Sequence, residues 1–449
     1  MQRIAIIGSG IAGLGAAHAL SPGAADLAPA AAAACAHSVT LFEAGGHFGG
    51  HANTVDMALD GIGHGVDTGF LVYNERTYPR LMQLFDELGV ATAASEMSFS
   101  VQARASGLEW SGNSLRGVFA QPSNLLRPSF WRMLSELARF NRLGTALVAA
   151  GDEAAPDQAL GDFLDQHRFG TAFRQGYLLP MIACIWSCPV AQMLAFPVAT
   201  LLRFCHNHGL LQVSNRPQWH TVRGGSREYV RRIVAGLADA RLHAPVLGVQ
   251  RRPDGALLRT ARGLEHFDQV VFACHSDQAL HLLGDDASPI ERELLGAIAY
   301  QPNRAVLHTD TRLLPRRRAA WAAWNFESAG QDQQQGVCLH YLHYLLNRLQ
   351  PLPRQTPVIV TLNRLRAPRD ETVVAEFDYA HPVFDRAAMA AQRRIGELQG
   401  QRRSWFCGAW AGYGFREDGL AAGQNVARAL LAASALTVTT ETSAWQAAA

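Results

Sequence analysis

The run Ile4 to Ile7 is short, apolar and β-branched, and it meets Gly8-Ser9-Gly10-Ile11-Ala12-Gly13 before the helical stretch Leu14 to Leu20. This strand, turn and helix order constrains the fold more than any other part of the chain. In Gly-x-Gly-x-x-Gly the first glycine makes a tight turn, the second lets a pyrophosphate approach backbone N–H groups, and the third allows helix and strand to pack. The helix N-terminus, with unpaired N–H groups and a favourable dipole, then meets the phosphate charge. Val39 to Glu43 resumes as a strand that ends in an acid, where a ribose-binding carboxylate belongs. Residues 21 to 38, rich in alanine, glycine and proline, read as a loop inserted between helix and second strand. The motif by itself leaves FAD and NAD open.

A chain of 449 residues is too long for one compact core, so a cofactor lobe and a substrate lobe are expected. Hydrophobic residues at 48% and charged residues at 17% suit a folded protein. With a formal charge of +2 and arginines spread along the chain, no nucleic-acid footprint stands out. All 40 basic residues are arginine, which excludes a Schiff-base lysine, a phosphate-loop lysine or a lysine-held water. The seven cysteines form no Cys-x-x-Cys spacing, so no metal site or disulfide framework is expected and a reducing cytoplasm fits. The first strand begins at Arg3 or Ile4, which leaves no room for a signal peptide before it.

The expected fold is α/β: a Rossmann-like cofactor domain made of residues 1–75, 215–285 and 401–436, with a discontinuous α+β substrate domain made of 76–214 and 286–400. Within the former, a β-meander is expected around Val246 to Leu258, then a buried strand Gln269 to Ala273. A last strand at Trp405 to Gly408 and a last helix at Leu420 to Ala433 follow, and 437–449 read as a disordered tail. From Gln175 to Leu202 no residue is charged, yet Pro180, Pro189 and Pro197 argue against a membrane span. A buried core or an apolar substrate wall is expected there, with contact at the periphery of a membrane as the other reading.

The segment Glu43-Ala44-Gly45-Gly46-His47-Phe48-Gly49-Gly50-His51-Ala52-Asn53-Thr54 resembles the flavin-containing amine oxidase superfamily, which includes carotenoid desaturases and protoporphyrinogen oxidases. Val66-Asp67-Thr68-Gly69, Gly224-Gly225-Ser226, Val270 to Ala273, Phe406 to Trp410 and Gly419 to Gly423 extend the likeness over nearly the whole chain. His275-Ser276-Asp277-Gln278 and Gly414 to Leu420 look like a bacterial subgroup of NAD/FAD-binding proteins, some of them linked to modification of membrane fatty acyl chains.

The resemblance implies FAD and an amine-oxidase-like two-domain fold. It implies cofactor contacts from Gly8, Ser9, Gly10, Ile11, Ala12, Gly13, Glu43, Ala44, Gly49, Gly50 and His51. Further contacts would come from Asp67, Thr68, Gly69, Val246, Ala273, Gly408, Ala409, Gly419 and Leu420, the helix starting near Gly419 aiming free N–H groups at the ring. His51 stands where an arginine is usual, and Ala409 where an acid is frequent.

Flavin N5 accepts a hydride, so no side-chain acid or base is obligatory. The catalytic candidates are His51, Trp410, Tyr413, Phe415 and Glu417, with the three aromatic residues read as one wall of the substrate site or as core. The expected activity is oxidation, dehydrogenation or desaturation of a small hydrophobic or lipid-like substrate. An amine oxidase is the alternative within enzymes, and a flavin-binding accessory protein the alternative outside them. Nothing in the residues marks an oligomeric state.

Overall fold

The computed structural model describes residues 1–21, 37–151, 158–186, 190–212, 216–331, 338–363 and 366–447. The alanine-rich insert expected within 21–38 lies almost wholly outside the described residues. A five-stranded parallel sheet forms one lobe, in the order Asp239–Arg241, His37–Phe42, Gln2–Ile7, Gln269–Phe272, Ser404–Phe406. Strand alternation divides the first strand between two cores: Ile4 and Ile6 face the helices, while Ala5 and Ile7 face the meander Val246–Arg252, Gly255–Thr260, Gly263–Phe267. A strand buried on both faces has to be apolar throughout, which is why Ile4 to Ile7 is an uninterrupted run.

On the helix face, Ile11–Leu20 packs against the last helix, Arg416–Ala447. Glycines permit the approach: a Cβ on Gly423 would lie 2.0 Å from Ala12 O, and one on Gly15 2.7 Å from the Leu420 side chain. The last helix starts before the expected Leu420 and runs to Ala447, through the stretch read from the sequence as a tail.

A seven-stranded sheet forms the other lobe, in the order Val373–Pro382, Tyr300–His308, Ile359–Leu362, Cys338–Leu345, Trp324–Gln331, Phe99–Ala103, Leu108–Ser111. Val101, Leu307, Phe326, Leu342 and Val360 from this sheet share one core with Phe130, Met133 and Phe140 of the helix Pro128–Ala149. The uncharged stretch breaks into the helices Leu179–Trp186, Val190–Ala195 and Val198–Asn207, the last capped by Pro197. Among the described residues no helix is long and apolar enough to cross a membrane.

The packing differs from the expected lobe boundaries at three helices. Pro79–Leu88 contributes Leu81, Leu84 and Phe85 to the core beneath the first helix. Pro289–Gly296 and Arg386–Arg394 contribute Leu294, Leu295, Ala388 and Ala391 to the core beneath the meander. All three are amphipathic helices whose apolar stripes find cover on the five-stranded sheet, although the chain around them belongs to the other lobe.

Gly423→Val is expected to lower stability by at least about 2 kcal/mol, because the added atoms collide with backbone rather than with a movable side chain. Urea unfolding at fixed FAD concentration checks this, and an unchanged midpoint would contradict the close helix contact.

Candidate flavin site

Gly8 adopts φ +105°, and a Cβ there would lie 2.9 Å from Ala273 O. Gly13 touches Gly8 O so closely that a Cβ would sit 1.9 Å from it. Gly10, by contrast, has nothing within 4 Å of where a Cβ would be, so open space lies beside the turn. Gly10 caps the first helix without any side-chain bond, which leaves the first-turn N–H groups of Ile11, Ala12 and Gly13 directed at that space.

Glu43 extends from the end of the second strand to this turn. Its Oε2 accepts from Ser9 N at 3.1 Å and Ser9 Oγ at 2.5 Å, and its Oε1 from Gly45 N at 2.8 Å. The Ser9 hydroxyl also accepts from Gly49 N at 3.1 Å, so Ser9 joins the acid to the glycine segment instead of facing open space. Gly50, at φ +57°, brings the segment within 3.3 Å of Gly10 Cα, measured from its would-be Cβ. Ala44 is exposed, and the loop leading to Val246 is tied beside it by Ala244 N to Glu43 O at 2.8 Å.

His51 leaves this segment for the boundary between the lobes. Its ring stacks on Tyr379 at 4.9 Å and lies 5.4 Å from His381 and 6.4 Å from His275, while its buried Nε2 has no partner among the described residues. Burial holds the His51 pKa well below the usual histidine value, helped by repulsion from His381, Arg416 and His275. Burial likewise pushes His381 down to about 4 and lowers His275. All three imidazoles are therefore neutral at pH 7.

Tyr379 OH accepts from Asn53 Nδ2 at 3.1 Å and pairs with Thr68 Oγ1 at 2.8 Å. Asn303 Nδ2 donates to His381 Nδ1 at 2.8 Å, and Tyr300 stacks on His275 at 4.3 Å. Tyr300, Asn303, Tyr379 and His381 all come from one strand pair of the seven-stranded sheet and were not singled out from sequence. Their signal was the spacing of Tyr379 and His381, two residues apart and so on one strand face.

Asp67 is 1% exposed and accepts from Thr54 Oγ1, Ser226 N, Ser226 Oγ and Gln350 Nε2 at 2.6 to 3.2 Å. Burial raises its pKa to about 6 against these bonds, so it is ionised at pH 7. Thr68 N donates to Asn53 O, and Gly69 packs so tightly on His51 O that a Cβ would lie 2.4 Å away.

Arg416 opens the last helix at 9% exposure, donates Nη1 to Tyr229 OH at 2.8 Å and lies over Phe70 at 4.6 Å. Its buried Nη2 has no partner among the described residues. A cation at the positive end of a helix, with a donor left over, calls for an acceptor or an anion beside it.

The remaining candidates separate. Trp410 is core: it is 2% exposed, packs beneath the meander and donates Nε1 to Cys274 O at 3.0 Å, so it is no substrate wall. Glu417 accepts from Arg80 N and Leu81 N at 2.9 and 3.0 Å, capping the helix Pro79–Leu88 rather than facing a substrate. Asp418 accepts from Phe415 N and Tyr413 N and closes the turn before its own helix. Phe415 stacks on Phe204 at 5.0 Å and joins the cores of the two lobes, and Tyr413 is half-buried in the turn.

Ala273 N is used by Ile7 O, and Gly408 is extended before the Ala409 turn. The helix begins at Arg416, so Gly419 N donates to Phe415 O and is not free, and the Leu420 side chain is wholly buried against the first helix. The free N–H groups lie one turn earlier than the sequence implied.

The profile of the flavin containing amine oxidoreductase family matches residues 11–431. The chain belongs to this family. Its members' flavin and oxidoreductase chemistry make it an FAD-dependent oxidoreductase with the family's two-domain α/β fold. The cyclohexylamine oxidase from Brevibacterium oxydans IH-35A is similar in structure, with TM-score 0.65, 15% identity, and coverage of 96% of this chain and 98% of that one. So is the CLA-producing fatty acid isomerase from P. acnes, with TM-score 0.64, 15% identity, and coverage of 95% and 97%. Putrescine oxidase bound to putrescine gives TM-score 0.62, 16% identity, and coverage of 96% and 99%. These identities show a shared fold and no more. No match is found among curated protein sequences.

The raised pKa of Asp67 sets a pH dependence. Between its ordinary value of 3.8 and about 6 the folded oxidoreductase keeps a proton that the unfolded chain has released. The stabilisation is complete below the ordinary value and lost as pH rises through the folded one, with a slope of at most about 1.4 kcal/mol per pH unit. Asp418, raised to about 6 by burial, adds a second such slope. The buried histidines, lowered by burial, contribute the opposite slope over the same window, so the expected reading is a difference. Relative to the wild type, the thermal midpoint of Asp67→Asn should change more favourably as pH rises from 4 to 6, and parallel profiles would show that Asp67 does not titrate there.

Proposed function

We propose that this flavoprotein oxidises a hydrophobic substrate of acyl-lipid character. Bound FAD supplies a hydride acceptor at N5. The chain's residues fit the cofactor: an open glycine turn faced by helix N–H groups for the pyrophosphate, and Glu43 beside it for the ribose hydroxyls. The unpartnered Arg416 Nη2, a donor, and His51 Nε2, which donates or accepts according to tautomer, are the buried polar atoms such a cofactor would satisfy. Asp67 and Thr68 hold the loop between the two, with Thr68 braced through Tyr379 to the opposite lobe.

The observation that carries the substrate reading is the character of the other lobe. No charged residue occurs from Gln175 to Leu202. The described part of that stretch enters one apolar core with the sheet, and the boundary above it is lined by neutral imidazoles and tyrosines. Such surroundings disfavour water and suit an apolar chain.

Membership of an amine oxidoreductase family favours an amine as the second reading. Against it stand the absence of any lysine to hold water and the buried guanidinium of Arg416, which repels an ammonium group.

Anaerobic mixing with dispersed acyl lipids should bleach the flavin within the dead time or minutes of mixing, while polyamines and aryl amines should yield no peroxide. Bleaching by amines alone would replace the lipid reading with the amine one. Glu43→Ala should weaken FAD retention at least about tenfold through loss of its charge-assisted hydrogen bonds. Fluorescence titration of the apoprotein measures this, and wild-type affinity in the variant would remove Glu43 from the cofactor site.

A further inference from the structure

The lobe that carries the apolar core also carries an exposed apolar face. Leu115, Leu125, Leu126 and Trp131 are 80%, 49%, 87% and 49% exposed. They sit on three consecutive short elements: the helical turn Leu115–Val118, the 3-10 turn Pro122–Leu126 and the start of the helix Pro128–Ala149. Phe119 N donates to Leu115 O at 3.0 Å, so those two residues share a side of the turn, and Phe119 in turn packs on Trp131 at 5.7 Å. Trp131 Nε1 donates to Leu125 O at 2.9 Å, which ties the helix to the 3-10 turn. The face is thus one connected, rigid surface rather than separate side chains. Behind it, Phe130 and Met133 are 3% and 1% exposed and point the other way, into the core. Core packing therefore does not explain the outward residues, and a connected exposed apolar patch marks an interaction site.

The charge around the face says what covers it. From Gly112 to Ser135 every charged residue is an arginine: Arg116, Arg127 and Arg132. None of the three forms an ion pair with the described residues, and Arg316 and Arg318, on the loop packed beside the first turn, form none either. The flanking acids are already engaged. Glu109 is buried against Arg317 and the N–H of Arg316, and Glu136 accepts from Gly170 N. Exposed leucines and an indole whose N–H is satisfied, surrounded by unpaired guanidinium groups, match a layer that is apolar within and anionic at its surface.

We propose that the face formed by Leu115, Leu125, Leu126 and Trp131 with its arginine rim docks the protein on an anionic lipid surface. The apolar side chains enter the interface and the arginines meet the headgroup phosphates. This goes beyond the substrate reading and does not depend on it, since docking is read without turnover. Were both to hold, the apolar lobe would rest against the phase that contains its substrate.

The test uses the full-length, flavin-loaded protein and sedimentation with vesicles. The protein should pellet with phosphatidylglycerol and phosphatidylcholine mixtures, and at least about tenfold less with phosphatidylcholine alone, an interaction weakened by high salt. Leu115→Ser with Leu126→Ser, and separately Arg116→Gln with Arg132→Gln, should each weaken anionic-vesicle binding by about tenfold or more. Both pairs are exposed, so flavin content and circular dichroism should stay at wild-type values. Failure of the wild type to pellet with anionic vesicles overturns the proposal, as does binding that both double variants retain in full. Self-association dispersed by the serine variants, with vesicles ignored, would assign the face to a second copy of the chain and also overturn it. None of these outcomes bears on flavin bleaching, so the two proposals can fail separately.

Discussion

The close contact between the first and last helices is the constraint on which the rest of this structure depends. Gly13, Gly15 and Gly423 remove the side-chain atoms that would hold Ile11–Leu20 away from the strand on one side and from Arg416–Ala447 on the other. Gly419, in the first turn of the last helix, lies against Ile11 at the start of the first, so their N-terminal ends are neighbours. The positive ends of both dipoles then converge on the space beside Gly10, where Glu43 and the Gly49-Gly50 segment also arrive. A nucleotide cofactor with a pyrophosphate is the kind of molecule that can neutralise such a convergence, and family membership supplies its identity as FAD.

The second lobe is positioned by polar contacts of a different kind. Asn53 and Thr68 reach Tyr379, Ser276 reaches Tyr300, and Asp67 reaches Gln350, so bonds from the cofactor loops end on the seven-stranded sheet or the turn beside it. The interface is made mostly of uncharged donors and acceptors, with burial keeping the histidines neutral. Neutral partners can be packed tightly without the desolvation cost that ion pairs would carry. The site thereby gains rigidity, with Asp67 and Arg416 as its buried charges.

Local order in the chain made the cofactor half legible. Ile4 to Ile7, the three glycines and Glu43 are adjacent to one another in both sequence and space, apart from one inserted loop, so periodicity and turn chemistry are enough to place them. The same holds for the meander and for the strand Gln269–Phe272. The substrate half was less legible because its contacts join distant parts of the chain. Tyr379 meets Asn53 across 326 positions, and Glu417 caps a helix 337 positions away. In a sequence, Glu417 is only an acid beside a flavin motif, and that neighbourhood suggests chemistry where the structure shows a cap. Trp410 misleads for the same reason: its segment passes the cofactor, but its ring turns inward to Cys274. Helix starts also carry uncertainty of about a turn, and here that turn moves the free N–H groups from Gly419 to Arg416 and the two residues after it.

The strand Ser404–Phe406 and the helix after it are the last parts of both sheet and site to be synthesised. Until they emerge from the ribosome, the Gln269–Phe272 strand has an open edge and the first helix a bare apolar side. A nascent chain thus carries an unfinished nucleotide cradle until both have been made, and cofactor capture is coupled to closure of the domain by its last strand and helix. Truncated products of this gene would be expected to aggregate rather than to persist as partially active enzyme.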